Sequence, residues 1–116
     1  MREASRDKGR LQDMLHYSEN VIRIIQGKSF EQFRDDITIY YSVMKNVEIV
    51  GEAAYMLTKE FREQHATLPW KEIAGMRHVL VHGYSTVVPE TLWNTAIHDI
   101  PAIIVEVTKL LDSVAD

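Results

Sequence analysis

The chain has 116 residues, 46% hydrophobic and 26% charged, a composition that suits one globular domain with a single core and excludes a disordered segment. It contains no cysteine, which excludes disulfides and thiolate metal sites. Its net charge of −4 excludes a surface coated in basic residues for unselective nucleic-acid binding; residues 1–28 carry +2 and residues 29–63 and 64–116 carry −3 each, so a polyanion site must be local or assembled from several subunits.

The apolar period is helical almost throughout. Ser5 is placed to cap a first helix that runs to about Gln26, with Leu11, Met14, Leu15, Ser18, Val21, Ile22 and Ile25 on one stripe. Gly27 is a plausible stop, and Ser29-Phe30-Glu31-Gln32 has the spacing of a capping box at the start of a short helical turn. Asp35 or Asp36 opens a long helix to about Glu63, striped by Tyr40, Met44, Val47, Gly51, Ala54, Leu57 and Phe61. A glycine inside a helix costs about 1 kcal/mol against alanine, so Gly51 marks the close approach of another helix. Pro69 begins a third helix carrying Ile73, Met76, Leu80 and Val81 and ending near Gly83. After a loop over 85–88, Pro89 starts a last long helix, which Pro101 should kink or split. Short connections predict an all-α, up-and-down bundle of four to five helices. The span 1–116 reads as a single domain. Its opening residues are too charged for a secretion signal, and no apolar run approaches the roughly 20 residues that cross a bilayer. A cytoplasmic protein with no membrane partner is expected.

The third helix ends in a concentration of functional side chains: Arg77, His78, His82 and Tyr84 fall within eight residues. His78 and His82, four apart, share a face, whereas Arg77 and His82 are about 140° and 7.5 Å apart along a regular helix. Arginine's reach must close that gap, or a second copy of the site must complete it. Histidine exchanges protons near neutrality, and arginine clamps phosphate oxygens through paired donors. The two suffice for metal-independent RNA cleavage, in which a base deprotonates the 2′-hydroxyl and the cation steadies the phosphoryl charge. By spacing alone the same residues also describe a surface ion pair and a histidine favoured at a helix C-terminus.

The stretch Leu68-Pro69-Trp70 through Gly75-Met76-Arg77-His78-Val79-Leu80-Val81-His82-Gly83-Tyr84 resembles the HEPN superfamily and, more narrowly, the HepT-like toxins paired with MNT-type nucleotidyltransferase antitoxins. It carries the Arg-x4-His-x-Tyr order of that group. Gly51-Glu52-Ala53 is similar to the group's Gly-Glu-Ala helix, and Leu92-Trp93 and Ile100-Pro101 fall where it has similar residues. The resemblance spans about residues 10–111. It implies a HEPN-like helical homodimer whose two subunits line one cleft, and metal-independent endoribonuclease cleavage with no cofactor. It further implies Arg77 and His82 as the catalytic pair, and Tyr84 as the residue that the antitoxin modifies with AMP. The group often has Asn where this chain has His78, which is placed to tune His82, take part itself or replace the amide as a donor.

Other residues have two readings each. Glu52 is a solvated charge or the partner that orients Arg77 through a salt bridge. Asn46 lies some 120° around the helix from Glu52, and Lys45 adds phosphate attraction or is an ordinary surface lysine. His78-x-x-x-His82 has the spacing of a two-histidine metal site but lacks an evident third ligand, so no metal is expected. Trp70, Trp93, Tyr40 and Tyr41 read as packing residues. The rivals to a ribonuclease toxin are a catalytically inactive bundle that binds a nucleotide or a nucleotidyltransferase, and a purely structural helical adaptor.

Overall fold

The computed structural model describes residues 2–114, and side chains from Arg6 onward. These residues form an all-α bundle: α1 (Arg2–Ile25), α2 (Phe30–Asp35), α3 (Ile37–Tyr55), α4 (Lys59–Gln64), α5 (Trp70–His82), a 3-10 turn (Tyr84–Thr86), α6 (Pro89–Asn94), a π turn (Thr95–Asp99) and α7 (Ile100–Ser113). The whole measures 45 × 28 × 20 Å. Helix α3 is central and packs on α1 and α5, while α1 also packs on α7, and α2 bridges α3 and α6.

Local signals set several boundaries. Gly27 adopts the left-handed conformation, with φ +73°, that stops α1. Ser29 and Gln32 form the reciprocal capping box that starts α2. Asp36 accepts from the Thr38 and Ile39 amides and so caps α3. The α1 stripe is buried at Leu11, Met14, Ser18, Val21 and Ile25. Phe33 is fully buried against Trp93 and Tyr40, with ring centroids 5.0 and 5.1 Å away. Burial pushes the Tyr40 phenol up. Trp70 is buried, and its indole N–H donates to the His65 carbonyl at 2.7 Å.

Four expectations are corrected. Helix α1 starts at Arg2, so Ser5 lies inside it rather than capping it. The long helix stops at Tyr55 rather than Glu63, because Thr58 turns extended and caps a separate α4 with its hydroxyl. Buried Asp7 of α1 fixes that break by accepting from the Thr58 amide at 2.8 Å and hydroxyl at 2.7 Å. With Pro89–Ser113 counted as one helix, the four to five helices expected become six among the described residues. Finally, Tyr41 leans edge-on against Tyr40 but stays 56% exposed.

The chain stays helical from Pro89 to Ser113, so Pro101 does not split the last helix. Proline cannot donate, and its ring crowds the carbonyl four residues back. The backbone widens just ahead of it, where the Ile100 amide bonds the Thr95 carbonyl, five residues back.

Candidate active site on α5

Gly51 positions the site. A β-carbon there would lie 2.8 Å from the Arg77 amide nitrogen and 3.0 Å from the Ile73 carbonyl oxygen. The missing side chain therefore lets the α5 backbone settle on α3 at the turn that carries Arg77. That approach puts Glu52, the next residue of α3, against the Arg77 guanidinium: a Glu52 carboxylate oxygen pairs with Arg77 Nε. The guanidinium also lies over the Tyr55 ring, 5.1 Å from its centroid. Glu52 and Tyr55 are three residues apart and share a face of α3, so one takes the guanidinium edge and the other its plane.

Arg77 is only 31% exposed at its side chain, while His78 and His82 are open to solvent. Their rings stack at a tilt with centroids 4.9 Å apart, one helical turn separating them. Both belong to the regular part of α5, so the imidazoles face about 100–140° away from Arg77. Arg77 is turned toward α3 and the histidine edge toward solvent, with no hydrogen bond or ring contact joining them among the described residues. Tyr84 follows in the 3-10 turn and is 69% exposed.

The remaining candidates are held elsewhere on α3. Asn46 accepts from Asn20 of α1 at 3.1 Å and donates to the Ser42 carbonyl at 2.7 Å. Lys45 pairs with Glu48 at 3.2 Å. Among the described residues, no group of three or more His, Asp or Glu side chains is arranged to hold a metal ion. Tyr55 is the residue that sequence reasoning missed. Its signal was its place three residues after Glu52 on the helix face that Gly51 marks for contact.

Beyond the histidine edge, α5 borders an apolar groove of about 470 Å³, lined by Met76, Val79, Val87, Val88, Thr91 and Leu92 among others. Among the described residues helix α5 packs chiefly on α3, and Val79 and Val88 are about half exposed along this groove.

Residues 14–110 match the family described as Ribonuclease HepT-like. The chain is 41% identical, over 87% of its length and 90% of the relative's, to a candidate RNase of Caldanaerobacter subterraneus subsp. tengcongensis. It is 36% identical, over 92% of its length and 88% of the relative's, to a candidate RNase of Methanocaldococcus jannaschii. It is 33% identical, over 83% of its length and 87% of the relative's, to a protein of Thermococcus cleftensis named probable ribonuclease HepT. No solved structure matches the chain.

Proposed function

Because the chain belongs to the HepT-like ribonuclease family, we propose that it is a metal-independent endoribonuclease, the toxin of a HEPN/MNT pair, acting as one domain and as a homodimer. His82 takes the proton of a ribose 2′-hydroxyl, and the oxygen attacks the adjacent phosphorus. The bond to the 5′-oxygen of the next nucleotide breaks, and that oxygen takes a proton from a second imidazole, His82 of the partner subunit. The products are a 2′,3′-cyclic phosphate and a 5′-hydroxyl. Arg77 steadies the charge on the phosphoryl oxygens. A guanidinium has five N–H donors; Glu52 engages the one at Nε, and four on the terminal nitrogens can meet phosphate. His78 assists as a donor beside His82, and Lys45 and Asn46 add minor substrate contacts at most.

The observation that carries this reading is that the last two turns of α5 present an arginine oriented by α3 on one side and two open, adjacent imidazoles on another. The angle between them suits a two-copy site, in which Arg77 of one subunit would serve His82 of the other. The half-exposed valines of the α5 groove support a second copy seated there. The open hydroxyl of Tyr84 suits transfer of AMP from ATP by an MNT-type nucleotidyltransferase, which would silence the site. Among the described residues no helix is long and apolar enough to cross a membrane, in keeping with a cytoplasmic toxin.

The test is incubation with RNA in EDTA. Cyclic-phosphate ends are expected, with rates falling about 100-fold or more in both Arg77→Ala and His82→Ala. No cleavage, together with tight association with a nucleotidyltransferase, would replace the enzyme with an inactive docking module. An intact mass unchanged after exposure to partner and ATP would remove the role of Tyr84.

A further inference from the structure

The Arg77 guanidinium occupies one side of the Tyr55 ring, yet Tyr55 remains 56% exposed, at the last residue of α3. No other ring or cation packs on it among the described residues. A tyrosine retained for burial would turn into the core, as Tyr40 does against Phe33. Tyr55 instead lies beside the one cation of the site and keeps aromatic surface in water. Tyr41 is as exposed, but it stands near the far end of α3, where its ring leans on Tyr40 and no cation lies over it among the described residues.

Resting on the ribonuclease reading, we propose that Tyr55 is a substrate-binding residue: its open face stacks a base of single-stranded RNA next to the phosphate that Arg77 holds, while its occupied face fixes the plane of the guanidinium. Sequence-tolerant stacking on aromatic side chains is how proteins grip unpaired RNA bases. Glu52 offsets part of the Arg77 charge, so the guanidinium holds phosphate through directed hydrogen bonds more than through long-range attraction. A stacked base supplies binding that does not depend on net charge, which suits a chain of net charge −4. The arrangement selects unpaired over duplex RNA and discriminates little between bases.

The experiment uses RNA oligonucleotides carrying 2-aminopurine at each position in turn, with His82→Ala as the background so that the strand stays intact. Quenching at one position is expected with His82→Ala and with His82→Ala/Tyr55→Phe, and its loss is expected with Tyr55→Ala or Tyr55→Leu. In the cleaving background Tyr55→Ala should raise KM roughly 5- to 150-fold, the equivalent of one stacked base, while Tyr55→Phe stays near wild type. Unchanged quenching and KM in both Tyr55→Ala and Tyr55→Leu would overturn the inference. So would loss of the dimer in those variants with Tyr55→Phe intact, which would make Tyr55 a subunit contact. A wild-type protein that cuts no RNA, yet quenches in a Tyr55-dependent way, would sink the ribonuclease reading and support the stacking role. Normal cleavage with quenching indifferent to Tyr55 would do the reverse.

Discussion

Gly51 and Glu52 are neighbours on α3 with opposite duties toward Arg77: one makes room for its backbone and the other holds its side chain. Gly51→Ala would gain about 1 kcal/mol of helix propensity. The new methyl, however, would press on main-chain atoms of α5, which cannot swing aside, and overpacking of that kind costs about 1–3 kcal/mol. A net loss of about 1 kcal/mol in urea unfolding is expected, with slower cleavage because Arg77 itself is displaced. A stabilised, fully active Gly51→Ala would show that the helices have slack. Glu52→Ala should behave differently. The pair is part-exposed, 31% at Arg77 and 47% at Glu52, so its worth to stability is at most about 1 kcal/mol. Its worth to catalysis is larger, because a guanidinium freed from one edge samples orientations that miss the phosphate. Cleavage about 10- to 100-fold slower at unchanged melting temperature is the expected result, and equal loss of both would make Glu52 merely structural. Part of this site was legible from residue type and helical spacing: Gly51 as a contact point, and His78 and His82 on one face; Glu52 had two readings, and the structure pairs it with Arg77. Tyr55 was missed although it sits three residues after Glu52 on the face that Gly51 marks, because what packs on that face is known only once α5 is laid against it.

The same division between local and distant causes governs the elements. Gly27, the Ser29–Gln32 capping box, Pro69 and Pro89 act on their own neighbours, and each marked a boundary that the chain respects. The break between α3 and α4 was illegible because its agent, Asp7, lies 51 residues upstream in sequence. A buried carboxylate that satisfies a backbone amide and a hydroxyl is worth more than a surface cap, since hydrogen bonds to charged groups contribute about 1.5–3 kcal/mol each. Asp7→Ala should therefore cost about 2–4 kcal/mol by denaturant unfolding, with hydrogen exchange rising first in α4. A cost below about 0.5 kcal/mol would mean that Thr58 caps α4 unaided.

For the molecule as a whole, the bundle packs α1 and α3 against several helices, whereas α5 packs chiefly on α3. An unevenly covered helix beside an apolar groove accounts for the proposed second copy better than charge does, since the chain's acidity works against close approach of two copies. Val79→Glu puts a charge on the lip of that groove at a half-exposed position. The monomer fold should change by no more than about 0.5 kcal/mol. Light scattering at micromolar concentration should shift from dimer to monomer, and cleavage should disappear with it. A dimeric, active Val79→Glu would move the subunit contact to another face.

The π turn also bears on how long this chain needs to be. Leu92 and Ile100, both buried, are eight residues apart, a rotation that in a regular α-helix would leave them about 80° out of phase. The wide turn absorbs one residue and brings them back into register. Deleting exposed His98 along with Pro101→Ala should close the rod into an ordinary helix with the same inward-facing side chains and a melting temperature within a few degrees. Deleting exposed Val105 from α7 should instead rotate Val107 and Leu110 toward water and unravel the C-terminal half. The helix thus carries a spare residue, which variants can shed without rebuilding the interior.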